Sequence, residues 1–166
     1  GARREARHRT HRAWKVATMA QEEVASSLEA IRQHAQSAGY FQLLNLHIDE
    51  AHDGTGKVGI HVDARLFHPL QIVHGGVIFT LADTAMAMAL MSILPAYTPV
   101  STIEAKINYL LPVRSGELSA ESSIVYQGRS TAVVEATVYN IEEDERKAIA
   151  RVLGTFKISR PRPATD

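Results

Sequence analysis

The run HGGVIFTLADTAMAMALM, residues 74–91, is apolar except for a few hydroxyls, one histidine and a single carboxylate, Asp83. A segment of this length makes about five turns of helix that is apolar on nearly every side, so something must enclose it. A membrane is one candidate. An aspartate at the centre of a span costs about 2.5–3.5 kcal/mol, however, and Thr80, Thr84 and Ser92 add further polarity. The stretch from Val77 to Leu94 is also at the short end for a span. The run therefore reads as the core helix of a soluble protein, with no membrane insertion. A buried, unpaired carboxylate would take up a proton, so Asp83 needs a hydrogen-bond partner or a gap in the helix's cover.

The rest of the chain supplies strands to do the enclosing. FQLLNLHIDEA and KVGIHVDA, on either side of the turn HDGTG, read as a hairpin. Pro95 and Pro99 bracket the exit from the helix, and strand-like runs follow at about 100–110, 117–127, 131–142 and 147–158. In the first of these, Ile103, Ala105, Ile107 and Tyr109 alternate with Thr102, Glu104, Lys106 and Asn108, the period of a half-buried strand. QGRS (127–130) and EEDER (142–146) supply turns. The pattern predicts an α+β fold: an antiparallel sheet of about six strands wrapped round one apolar helix. One sheet cannot surround a helix, so the uncovered side calls for a second subunit, most simply through a twofold axis.

Ahead of the hairpin, residues 20–38 carry Val24, Leu28 and Ile31 at helical spacing among polar residues, and Gly39 provides a stop. This reads as an amphipathic N-terminal helix packed on the outside. Residues 1–18 are Arg-rich, with Glu5 as their only acid, and are expected to form an extension or presequence-like arm without catalytic consequence. Met19 and the residues after it read like a native start. Residues 19–160 then form a single domain of ordinary globular composition, 45% hydrophobic and 22% charged, and 161–166 a frayed tail. Eighteen basic residues balance eighteen acidic ones, which gives no reason to expect nucleic acid as a partner. The absence of cysteine excludes thiol catalysis and thiolate metal sites and is compatible with a reducing, cytoplasmic setting. The eight histidines are scattered, and His61 and His68 do not make a helical metal-binding pair, so no metal is expected.

His74-Gly75-Gly76 precedes the core helix, and its backbone N–H groups face the positive end of the helix dipole, an arrangement suited to an oxyanion. Gly75 and Asp83 are eight residues apart, about 12 Å along a helix. A reacting carbonyl must lie about 3–3.5 Å from both its oxyanion donor and its attacking group, so one helix cannot supply both. Two antiparallel helices across a dimer axis can. Each N-terminus would then face the Asp83 of the other chain, creating two composite sites.

VHGGVIFTLADTAMAMAL, followed by VSTIEAKINYLLPVRSGELSAESSIVYQGRSTAVVEATVYN, strongly resembles the hotdog-fold acyl-CoA thioesterases of the phenylacetate-pathway (PaaI-like) type over about residues 40–158. The resemblance implies hydrolysis of an acyl-CoA, with Asp83 as general base or nucleophile and the Gly75 N–H polarising the thioester carbonyl. It also implies a homodimer, as part of a dimer of dimers, and no cofactor beyond the coenzyme A of the substrate. Ser101 matches a family serine that orients the carboxylate or water. His68 stands where the family commonly has asparagine, and its ring N–H is a candidate replacement for the amide donor. His74, which fixes the turn into the helix, and Gly76 are assigned to substrate binding, and Arg129 in QGRS to a coenzyme phosphate. Met86, Met88 and Met91 are candidates for an adaptable acyl pocket. Two other functions remain open: a hotdog hydroxyacyl-thioester dehydratase using His68 and Asp83, and a non-catalytic acyl-CoA sensor.

Overall fold

The computed structural model describes residues 29–33, 35, 37–95 and 98–159. Residues 1–18 and 161–166, and most of the expected N-terminal helix, lie outside the described residues. Residues 29–33 and 35 are helical, as the spacing of the 20–38 segment predicts.

Gly39 does not only end that helix. It opens a second, short one, α1 (Gly39–Leu44), with Ala38 held extended between them. Here the reading from sequence, which ran a strand back to Phe41, is corrected. Phe41 and Leu44 sit three apart and pack on the core, which is helical spacing, while Tyr40 and Leu43 stay exposed. Asn45 closes the helix in the left-handed conformation (φ 55°), with its N–H turned back to the Gln42 and Phe41 carbonyls.

The hairpin begins later, as β1 (His47–His52) and β2 (Thr55–His61). Its two-residue turn, Asp53-Gly54, has positive φ at both positions (48° and 79°), the requirement of a tight hairpin turn. A short 3-10 turn (Ala64–Leu66) leads into a miniature ladder, β3 (Phe67–His68) with β4 (Ile72–Val73). The central helix α2 (Gly75–Met91) follows. The chain then returns through β5 (Val100–Tyr109), β6 (Glu117–Gln127), β7 (Thr131–Glu142) and β8 (Glu145–Ile158).

The long strands form one six-stranded antiparallel sheet in the order β1-β2-β6-β7-β8-β5. Register breaks at Ile48/Glu50, Thr102/Glu104, Ile124/Tyr126 and Val138/Tyr139 bend four of the strands, which lets the sheet curl about α2. The helix lies against the concave face, chiefly on β2, β6 and β7. Ile78, Leu81, Ala82, Ala85, Met86, Met88, Ala89 and Leu90 are buried there, against sheet residues that include Val58, Ile60, Leu118, Val134, Val138 and Phe156. The approach is closest at Gly56, where a Cβ would stand 2.3 Å from the Ala85 carbonyl oxygen. Ser122 Oγ donates to the same carbonyl at 2.7 Å, tying sheet to helix. Among the described residues no helix is long and apolar enough to cross a membrane.

The two edges of the sheet differ. At β1, the Arg32 guanidinium donates to the carbonyls of Ile48 (2.9 Å) and Asp49 (2.6 Å). At β5, by contrast, Ile103, Tyr109 and the adjoining Leu110 and Leu111 are all exposed, and β8 is the only described strand that pairs with it.

Candidate active site

Gly75 is the first residue of α2 and His74 its N-cap, so the helix begins two residues earlier than the sequence suggests and takes in both glycines. The His74 Nδ1 accepts the Gly76 N–H at 2.9 Å, and the Val77 N–H returns to the His74 carbonyl. Of these donors, the Gly75 N–H alone is left without a partner among the described residues. A tyrosine braces it: Tyr109 Oη donates to the Gly75 carbonyl oxygen at 2.9 Å. A Cβ at position 75 would stand 3.1 Å from Tyr109 ring atoms, so glycine is what lets the phenol come this close. Partial desolvation of the hydroxyl end pushes the Tyr109 phenol above its ordinary value, although much of the ring is exposed, and this keeps the donor protonated.

His68 stands beside this helix end, its ring centroid 6.0 Å from that of His74. Its Nδ1 accepts the Leu70 N–H at 3.1 Å, so in the neutral ring the proton sits on Nε2, free to donate. His68, His74, Gly75 and Gly76 are thus gathered at one place. Asp83 lies further along the same helix, half-buried on the flank the sheet leaves open.

Asp83 has its partner, but not the expected one. Thr102 Oγ1 donates to Asp83 Oδ1 at 2.8 Å. Strand register explains the change. Ser101 is paired with the exposed Lys157, and Thr102 with Phe156, which is 1% exposed in the core. Successive side chains alternate faces, so Thr102 faces the helix and Ser101 faces away from it. The bond to Asp83 expected of Ser101 belongs to its neighbour. The signal available in sequence was only the adjacent hydroxyl; choosing between the two required the β5–β8 register.

Arg129 is exposed in the β6–β7 turn and has no carboxylate partner among the described residues. Lys157, which the sequence reading missed, pairs across the strands with both Ser101 and Thr131. Two cations therefore mark the sheet end at which β5 begins. Met86 and Met88 are core residues, at 0% and 6% exposure, so of the three methionines only Met91 has exposed surface to offer a pocket. Among the described residues no group of three or more His, Asp or Glu side chains is placed to hold a metal ion.

A curled antiparallel sheet holding one apolar helix defines a hotdog-fold protein, in which a braced glycine N–H stands at the helix start and a hydroxyl-bound aspartate two turns on. Known proteins agree. The model of the Thioesterase superfamily matches residues 70–147, which contain the whole of α2. The acyl-coenzyme A thioesterase PaaI of Escherichia coli is 32% identical over 113 residues, covering 67% of this chain and 76% of that protein. A Halobacterium salinarum protein provisionally named an esterase is 31% identical over 138 residues, covering 78% of this chain and 91% of its own. Among solved structures, a thioesterase family protein from Silicibacter pomeroyi superposes with a TM-score of 0.74 at 26% identity, covering 80% of this chain and 97% of that one. The chain belongs to the PaaI-like branch of the thioesterase superfamily and is a thioester hydrolase.

Proposed function

We propose that the protein hydrolyses acyl-CoA thioesters as a homodimer, each active site combining the Asp83 of one chain with the Gly75 N–H of the other. One observation carries this reading. The free Gly75 N–H and the half-buried Asp83 stand eight residues apart on a single continuous helix, about 12 Å, which is too far for one thioester to touch both. Antiparallel apposition of two α2 helices brings each donor to the other's carboxylate. The exposed apolar edge of β5 supports the same assembly, since a second copy would cover it.

In such a site the carbonyl oxygen takes the Gly75 N–H, which the helix dipole strengthens, and the Nε2–H of His68 stands at the same helix end. Asp83, oriented by Thr102, removes a proton from water. The hydroxide adds to the carbonyl carbon, the C–S bond breaks, and the thiolate of coenzyme A leaves and takes up a proton. Alternatively Asp83 attacks directly, giving a mixed anhydride that water then opens. Oxygen-18 from water entering the enzyme in a single turnover distinguishes that route from general-base catalysis. Arg129, unpaired and exposed, is assigned to a phosphate of the coenzyme, with Lys157 nearby on β8.

Mixed dimers test the assembly. Asp83→Asn homodimers and Gly75→Pro homodimers should both be inactive; proline fits the backbone at the first position of a helix, removes the donor and also pushes the Tyr109 phenol of its own chain aside, so its fold is checked first. In a mixed dimer one site carries both lesions and the other neither. Random pairing makes half the dimers mixed, so about a quarter of wild-type activity should return. Mixed dimers that form without recovering activity refute the composite site. Binding of acyl-CoA by the wild type without thiol release would identify a sensor instead.

A further inference from the structure

One flank of α2 is left uncovered by the sheet. Gly76, Thr80, Asp83, Ala87 and Met91 recur at spacings of four, three, four and four, so they form one stripe, and each is at least partly exposed. The helix α1 reaches this stripe. Phe41 and Leu44 anchor α1 in the core, and the Leu46 N–H bonds back to the Phe41 carbonyl. From that anchored position, Tyr40 Oη lies 2.8 Å from Thr80 Oγ1. Thr80 is one helical turn from Asp83, about 4.5 Å along the axis. Tyr40 and Leu43, three apart on α1, are 54% and 68% exposed, so the ring that reaches Thr80 keeps much of its apolar surface in water.

We infer that α1 forms a wall of the acyl pocket and that Tyr40 sets the length of acyl group the enzyme accepts. This rests on the proposed composite site. With each Gly75 opposite the other chain's Asp83, the twofold axis passes the helices near residue 79, the midpoint of 75 and 83, next to Thr80. The Tyr40 rings of both chains then converge on the axis and close the groove about one turn from the reacting carbon. The hydroxyl pair satisfies both polar ends and leaves ring surface for the acyl chain. Such a wall admits short or compact acyl groups beside Asp83 and turns away long straight ones. Removing it lengthens the groove towards the axis.

The test measures kcat/KM for butanoyl-CoA, decanoyl-CoA and phenylacetyl-CoA with the full chain and its Tyr40→Ala and Tyr40→Phe variants. Tyr40→Ala should raise the decanoyl-to-butanoyl ratio by about tenfold or more, the scale on which a pocket discriminates by size. Tyr40→Phe keeps the ring, so its ratio should stay within about threefold of wild type on that scale. If Tyr40→Ala does not fold, Tyr40→Leu, which keeps an apolar side chain on α1, should shift the ratio in the same direction. An unchanged ratio in a folded, active Tyr40→Ala or Tyr40→Leu variant overturns the wall assignment while leaving the thioesterase reading intact. So does a folded Tyr40→Ala that has lost both substrates equally. Absence of thiol release by the wild type from every member of the panel overturns the thioesterase reading itself.

Discussion

Replacing Thr102 with valine removes one hydroxyl, changes the volume hardly at all, and takes from Asp83 the hydrogen bond that Thr102 Oγ1 makes to it at 2.8 Å. A hydrogen bond to a charged group is worth about 1.5–3 kcal/mol, and Thr102 is exposed in the single chain, which places its contribution near the lower figure. At about 1.4 kcal/mol per tenfold, that amounts to roughly a tenfold loss. The loss should appear in kcat and leave KM nearly unchanged, because the bond orients the carboxylate rather than holding substrate. Thr102→Ser, which keeps the hydroxyl, should recover most of the rate, and Ser101→Ala should lose much less than Thr102→Val because Ser101 faces away from α2. The measurement is steady-state release of coenzyme A thiol, with thermal denaturation to show that each variant is folded. A Ser101→Ala loss larger than that of Thr102→Val would mean that the β5–β8 register does not govern the site, and the assignment of Thr102 would fall.

Asp83→Asn should lower kcat by about 10²–10⁴-fold, the range of a lost general base, while acyl-CoA still binds by calorimetry; near-wild-type turnover would remove Asp83 from the chemistry. Gly56→Ala places a Cβ 2.3 Å from the Ala85 carbonyl and 2.7 Å from the Ala89 nitrogen, so the helix must lift from β2. The expected cost is about 1–3 kcal/mol, read as a Tm lower by about 2–4 °C per kcal/mol in a domain of this size. Tyr109 gives a pH signature. Its phenol is raised in the folded protein by partial desolvation, so its stabilisation is complete below the unfolded value near 10 and is lost as pH rises through the higher folded one. Wild-type stability should therefore fall over that alkaline window relative to Tyr109→Phe, and parallel curves would show that the phenol does not titrate differently on folding.

Period and punctuation made much of this fold legible. The runs read at 117–127 and 131–142 coincide with β6 and β7, because alternation is strong there and QGRS marks the break. The apolar run could only be a helix needing cover. Phe41–Leu44 failed for a local reason: four apolar or amphipathic residues fit either period, and the left-handed Asn45 that closes α1 leaves little trace in the sequence. At the candidate site, the separation of Gly75 and Asp83 was legible because both lie on one helix, whose geometry is fixed. Thr102, Tyr109 and Tyr40 were not. Each acts across 19, 34 or 40 residues, through a strand register or a helix docking that no local pattern specifies. The order of the sheet, in which β2 meets β6 and β8 meets β5, is of the same kind.

The unequal edges of that sheet bear on how copies of the chain can associate. A sheet open at both ends can recruit copies of itself without limit, which is the geometry of a growing fibre. Here two outward carbonyls of β1 are already occupied by Arg32, and the register break at Ile48/Glu50 spoils the strand as a template. Of the two edges of that sheet, β5 offers the receptive rim. In the proposed dimer, strand-to-strand association through β5 joins two sheets and leaves at their outer ends the β1 edges that Arg32 stops, so the six-stranded sheet does not go on growing by that route.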